Sequence, residues 1–366
     1  MGYTSPIDLL LNLSRSSEKA LEYVTQQESL YSLREELLRA RDEGRRVLVI
    51  GSGRSGEIGS LFADRLYFDH EVDAFKYSTE RMKSIGEGDV VITISGSGET
   101  RDSKEQTKVA KDIGAEIFVI TSRPNSSIAK LTRRENVIHL PGRSKMDRGK
   151  SVEDEIKGAP PVLGTSFEVA ACFLSFNLAD LSTKLDKGMD AAIRYVGNLP
   201  RRVDEKSLME LNRLMLKKRR FLIGGGGYCG KVAKCAVLRG KNIEGATNNE
   251  KRCEILDSYT YRNLNFSPTD VLIAISGDGN DPFTLNISSR ALKSGAVISS
   301  ITFNKRSPIA QMSEVCVSIP FGESGIREFE PGANLILDSE LNALLYTLGL
   351  NEERIKEQHE NISTRY

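Results

Sequence analysis

Val90-Val91-Ile92-Thr93-Ile94-Ser95-Gly96-Ser97-Gly98-Glu99-Thr100 is the stretch that decides the fold. Val90 to Ile94 is apolar without alternation, the pattern of a strand buried on both faces of a parallel sheet. Asp102 to Ile113, just beyond, is polar and compatible with a helix. A buried strand that runs through a turn of small residues into a helix leaves free backbone N–H groups at the turn. The positive end of the helix dipole lies there too. Gly96 and Gly98 let the backbone approach a ligand, and Ser95, Ser97 and Thr100 carry hydroxyl donors. The combination is a cradle for phosphate. The same residues also serve in a serine-rich turn with Thr100 as a plain helix cap.

Upstream, Val47 to Ile50 is a shorter apolar strand that runs into Gly51-Ser52-Gly53-Arg54-Ser55-Gly56, with a helix expected through Phe68. This G-x-G-x-x-G has the form of a dinucleotide fingerprint. That reading wants an acidic residue closing the second strand, and Val72 to Tyr77 offers only Asp73 at its start. A second phosphate-type loop on the next strand also argues for a smaller ligand, and Gly53, Arg54 and Ser55 suit a monophosphate. Downstream, Ile117–Thr121, a helix near Ser127–Leu131 and Val137–Leu140 continue the alternation. Strands alternating with amphipathic helices make an α/β fold, a parallel sheet covered on both faces in three layers. Loops 51–56 and 95–100 both lie at carboxyl ends of strands, where such sheets bind ligands.

The flanking segments are read in the same way. Ser5-Pro6 starts a leading helix, and Leu30, Leu33, Leu37 and Leu38 mark a second that ends near Gly44. Gly142 to Pro161 is polar and charged, and reads either as a lid or as a surface connection. Leu163-Gly164-Thr165-Ser166-Phe167-Glu168 opens an apolar helix expected to reach about Lys184, with Glu168 in its first turn. Asp186 to Pro200 reads as the join between halves, broken at Asn198-Leu199-Pro200, before a helix from Arg202 to Lys218.

A chain of 366 residues is too long for one ordinary core and is expected to form two domains, 1–188 and 189–366. A net charge of +1 implies no bulk attraction to nucleic acid or membrane. No apolar run approaches the roughly 20 residues of a membrane span, and no signal peptide is visible. Cys172, Cys229, Cys235, Cys253 and Cys316 form no C-x-x-C, so free thiols in a cytoplasmic protein are expected. His70, His139 and His359 are the only histidines, so neither a metal nor another cofactor is expected.

The chain also repeats itself. Residues 47–56 answer to 221–230, 90–100 to 271–281, and 127–130 to 308–311, and Glu168 is matched to Glu340 in Asp338-Ser339-Glu340-Leu341-Asn342. Two similar domains packed as a pseudo-dimer follow from that order. They are chemically unequal: Asp278 and Asp281 stand where Ser97 and Thr100 stand in the first half, and Tyr228-Cys229 where Arg54-Ser55 stand. A carboxylate repels a phosphate and removes donors. The intact phosphate loop is therefore expected in the first half alone.

With these residues in hand, the chain resembles tandem SIS (sugar isomerase) domain proteins. Its first half is most similar to the 6-phospho-3-hexuloisomerases. The matching pieces, in family order over roughly residues 5–185, include Gly53 to Gly56, Ala63 to Leu66, Ile94 to Thr100, Ala110 to Gly114, Ser126 to Lys130 and Leu163 to Glu168. The resemblance implies a five-stranded parallel sheet flanked by helices in each half. It implies that Ser55, Ser95, Ser97 and Thr100 hold a sugar phosphate and that Glu168 is the catalytic base. The expected reaction is isomerisation of a hexose or hexulose 6-phosphate through a cis-enediol, with Arg148, Lys150, Lys157 or His70 as the donor. The family's R-L-x-H histidine is absent; Phe68 follows Arg65-Leu66-Tyr67, and His70 is nearest. Single-domain relatives build sites between subunits, so the neighbouring surface is expected from a homodimer or from residues 190–366. A non-catalytic sugar-phosphate-binding regulator and an amino-sugar phosphate isomerase or deaminase are the alternative readings.

Overall fold

The computed structural model of the protein describes residues 5–142, 164–247, 250–257, 260–261, 265–320 and 328–349. The apolar runs become central strands. Val47–Ile50 (β1), Val90–Ile94 (β3) and Glu116–Thr121 (β4) are flanked by Ala74–Lys76 (β2) and Val137–His139 (β5) in an all-parallel sheet of order β2-β1-β3-β4-β5. Every residue of β1 and β3 is buried, as continuous apolar strands covered on both faces require. Val47 pairs with Ala74 on one side and Val90 on the other. The chain thus reverses its direction of travel across the sheet between β1 and β3. That is the switch point, where an open parallel sheet leaves a crevice at its carboxyl end.

Helices Pro6–Val24 (α1), Glu28–Glu43 (α2), Gly53–His70 (α3), Thr79–Met82 (α4), Arg101–Ile113 (α5) and Thr165–Ala179 (α6) accompany this sheet in sequence. Leu48, Ile50, Val91 and Val119 pack with Ala110 of α5 and with Ile128. Each such aliphatic side chain contributes about 1.5–3 kcal/mol on full burial. In α6 every residue but Glu168 and Asn177 is buried, so the one carboxylate in its first turn stands out from an apolar helix.

The second half repeats the plan. Arg220–Gly225 (β6), Arg252–Leu256 (β7), Asp270–Ile275 (β8), Val297–Thr302 (β9) and Val315–Ser318 (β10) form a parallel sheet of order β10-β9-β8-β6-β7. Leu185–Arg202 (α7), Glu205–Lys217 (α8), Gly227–Ala246 (α9), Pro282–Lys293 (α10), Pro308–Gln311 (α11) and Phe329–Thr347 (α12) complete the helices. The first half, described residues 15–142 and 164–197, forms one compact unit. Residues from 198 onward, with 5–14, form the other. No helix among the described residues is long and apolar enough to cross a membrane.

Several expectations are corrected. Asn198-Leu199-Pro200 does not break the chain but lies inside α7. Buried Met189, Ala192, Val196 and Leu199 hold that helix together, and the lost hydrogen bond at Pro200 comes only in its final turn. The helix expected to Lys184 ends at Ala179, and α8 starts at Glu205, where Asp204 accepts a capping bond from the Ser207 N–H at 3.0 Å. The expected helix at 127–131 is a single 3-10 turn, Ala129–Leu131. The lid-or-connection segment 142–161 lies, apart from Gly142, outside the described residues, as do Arg148, Lys150 and Lys157.

Candidate functional site: two loops and a carboxylate at the switch point

The loops after β1 and β3 come together as the sheet order demands. Ser52 Oγ and Ser103 Oγ share a hydrogen bond of 2.9 Å, which ties the start of α3 to the first turn of α5. Within the second loop the Ser95 hydroxyl accepts from the Gly98 N–H at 3.2 Å, and the Ser97 hydroxyl from the Glu99 N–H at 3.2 Å. The Glu99 carboxylate accepts from the Ser127 N–H at 2.9 Å, and hydrogen bonding from the Ser127 side chain, then from its backbone, holds its carboxyl below the usual carboxylate range. Gly98 has φ +62°, and a β-carbon there would lie 2.0 Å from Ser126 Oγ, so only glycine fits the turn. Thr100 is the N-cap of α5 yet makes no side-chain capping bond. The start of α5 is consequently not capped by the Thr100 side chain, which lines the pocket.

Ser52, Ser55, Ser95, Ser97 and Thr100 line a pocket of about 120 Å³ together with Ile94, Gly96, Gly164, Phe167 and Glu168. That is roughly the room of four waters at ~30 Å³ each, suited to a phosphoryl group with the rest of a ligand outside. The Phe167 ring lies over Gly96, where a β-carbon would come within 3.0 Å of it. This contact seats the first turn of α6 on the loop and brings Glu168 to the rim. Glu168 Oε2 accepts from Arg54 Nη1 at 2.5 Å. Arg54 is buried (7 % exposed), and the Glu168 side chain is 16 % exposed.

Six of the expected site residues, Ser55, Ser95, Gly96, Ser97, Thr100 and Glu168, therefore line one pocket. Arg54 joins through Glu168, while Gly53 and Gly98 shape the loop turns with φ of +58° and +62°. His70 is not brought there. It ends α3, about 25 Å of helix away from the loop that starts it. Its Nε2 accepts from the Leu181 N–H at 3.3 Å and lies 3.7 Å from Asp180, while burial lowers its pKa. Sequence reasoning did not single out Ser52 and Phe167, although both sit inside motifs it used.

The second half shows what fills the same place there. Asp281 caps α10, its carboxylate accepting from the Thr284 N–H at 2.7 Å and from the Thr284 hydroxyl at 2.5 Å. A β-carbon on Gly226 would lie 2.4 Å from both Asp281 oxygens, so the carboxylate rests against the glycine loop. Asp278 likewise accepts from the Asn280 N–H. The helix start that Thr100 leaves open is closed here by the chain's own anion.

The match of Glu168 to Glu340 is also corrected. Phe329 lies against Gly277 as Phe167 lies against Gly96, so Glu330 in the first turn of α12 is the counterpart of Glu168. Glu340 stands in the middle of α12, fully buried. Its Oε2 accepts from Asn212 Nδ2 at 3.0 Å, and burial raises its carboxyl pKa well above the ordinary value.

Comparison with known proteins agrees with this architecture. The SIS domain family profile matches residues 41–146. A protein of Aeropyrum pernix with no assigned activity is 35 % identical over 179 residues, 46 % of this chain and 79 % of that protein. The 3-hexulose-6-phosphate isomerase of Methylomonas aminofaciens is 32 % identical over 149 residues, 40 % of this chain and 76 % of the enzyme. The crystal structure of tagatose-6-phosphate ketose/aldose isomerase from Escherichia coli superposes with a TM-score of 0.69 at 15 % identity, covering 95 % of each chain. That likeness is one of fold.

Proposed function

The chain belongs to the SIS-domain family, and from that premise we propose that its first half is a sugar-phosphate isomerase acting on a hexose or hexulose 6-phosphate. One observation carries the reading: an open helix start, a cluster of hydroxyls and the Glu168 carboxylate share a single pocket. The phosphate docks on the first-turn amides of α5 and the hydroxyls of Ser55, Ser95, Ser97 and Thr100. Anchoring there positions the reacting carbons without contact to them, a gain in orientation worth several kcal/mol.

Glu168 then takes the proton from a carbon beside the carbonyl. The C–H bond breaks, an O–H bond forms on the carboxyl, and the electron pair becomes the C=C bond of the cis-enediol as the carbonyl π pair moves onto its oxygen, which takes up the proton that the neighbouring hydroxyl gives up. Return of the proton to the neighbouring carbon completes the isomerisation. Arg54 holds Glu168 in place and is a cationic donor available to the oxygen that gains charge. His70, at the far end of α3, takes no part in this scheme. The name of the Methylomonas aminofaciens relative, 3-hexulose-6-phosphate isomerase, makes 3-hexulose 6-phosphate the first substrate to try.

Isomerisation of a panel of hexulose and hexose 6-phosphates tests the proposal. Wild-type protein converts at least one of them, and Glu168→Gln loses about 10²–10⁴-fold in turnover while still binding it. Full turnover in Glu168→Gln excludes the mechanism. Saturable binding without turnover in the wild type identifies a sugar-phosphate sensor instead, a reading favoured by the absence of a histidine from the described pocket.

A further inference from the structure

The two halves treat one shared feature in opposite ways. Each sheet begins its first strand with an arginine pair, Arg45-Arg46 before β1 and Arg219-Arg220 at β6. In the first half the pair is neutralised. Arg45 meets Glu36 at 2.6 Å and Glu43 at 2.7 Å, and Arg46 meets Asp73 at 3.5 Å. Glu43 is the last residue of α2, and Asp73 directly precedes the β2 residue that pairs with Val47.

In the second half those two acidic positions are reversed in charge. Lys217 is the last residue of α8, and Arg252 directly precedes Cys253, which pairs with Phe221. Parallel register sets Arg252 beside Arg220. The outcome is a concave cleft of about 690 Å³ at the amino end of the second sheet, lined by Lys217, Lys218, Arg219, Arg220, Lys251 and Arg252. Glu250 and Asp270 are the acids that line it among the described residues, and Arg220 is already engaged by Asp270 at 2.5 Å and by Glu254 at 3.5 Å.

Structural roles account for three of the six cations. Lys251 donates to the carbonyls of Met215, Leu216 and Lys218, Lys218 to that of Pro268, and Arg220 to Asp270. Lys217, Arg219 and Arg252 are exposed and have no acidic partner among the described residues. Three unpaired cations at one cleft repel one another, and the first half shows that the same backbone accepts acids at two of these places. A cleft of this volume is of small-molecule size.

The geometry points to a binding site for a small, multiply charged anion, an oligophosphate, on Lys217, Arg219 and Arg252 of the second half. It lies at the amino ends of the strands and is built from residues of that half alone, so it shares no residue with the pocket holding Glu168.

Calorimetric titration of the full chain with inorganic tripolyphosphate, at about 0.05 M and about 0.5 M salt, tests the assignment. The decisive variant is Lys217→Glu with Arg252→Asp, which installs the acids the first half carries. Wild-type protein is expected to saturate at low salt and weaken at high salt, and the double variant to bind about tenfold less tightly or worse. Should that variant fail to fold, Lys217→Gln with Arg252→Gln, which adds no charge, serves in its place. A parallel titration with ATP distinguishes a nucleotide from a free oligophosphate, the same loss on substitution supporting the site in either case. Equal affinity in both proteins overturns the assignment. So does an absence of saturation, or saturation only by a single-stranded RNA oligomer.

Discussion

Arg54 and Glu168 form a salt bridge in which one partner is buried and the other nearly so. If Arg54 orients the carboxylate, its loss disturbs chemistry more than docking. Arg54→Ala is expected to lower kcat about 10–10²-fold with a smaller change in KM, and Arg54→Lys to recover part of it, since a point charge replaces a fork of donors. Steady-state kinetics on the substrate found by the panel check this. Glu340 makes a prediction about stability instead. Its folded pKa lies above its unfolded value of 4.5, so its contribution is fully present below pH 4.5 and is lost as pH rises toward the folded pKa. Glu340→Gln keeps an acceptor for Asn212 Nδ2 and offers an N–H to Asn212 Oδ1, which has no partner among the described residues. Thermal melts between pH 5 and 8 should show a higher Tm for the variant at neutral pH, about 2–4 °C per kcal/mol gained, and a flatter pH dependence. An unchanged profile would mean that the carboxyl is already ionised in the folded protein.

The loop between β3 and α5 is the element on which binding depends. Its Gly98 occupies left-handed backbone with no room for a side chain, so Gly98→Ala should cost about 1–3 kcal/mol and weaken phosphate binding along with stability. Thr100→Asp asks a sharper question. The second half shows that an aspartate at this place caps the following helix and fills the space. The substitution should leave the fold intact while weakening sugar-phosphate binding by at least about tenfold, 1.4 kcal/mol. Unaltered affinity measured by calorimetry would place the phosphate elsewhere. The strand of this element was legible because Val90 to Ile94 is apolar but for Thr93 and shows no alternation, and a helix had to follow the glycine turn. Helix α7 was not, because Pro200 carries a strong local signal for a break that tertiary packing of Val196 and Leu199 overrides.

At the scale of the whole chain, two copies of one fold have taken different chemistry. The repeat was readable from the loop sequences, and so was the loss of hydroxyls in the second copy. What the sequence did not reveal is that Asp281 turns inward to cap α10. Spacing in the repeat pairs Glu168 with Glu340, but glutamates at 330 and 340 both lie in α12, and the packing of Phe329 on Gly277 selects Glu330. One sugar phosphate per chain is the expected stoichiometry, because only the first half leaves its helix start open. The most direct measurement of the central claim is solvent deuterium incorporation into a hexulose 6-phosphate, followed by NMR in D₂O with wild-type protein and Glu168→Gln. The account predicts exchange of a carbon-bound hydrogen by the wild type and none by the variant, with both proteins still binding the sugar. Exchange by Glu168→Gln at the wild-type rate, or binding by the wild type with no exchange at all, would contradict it.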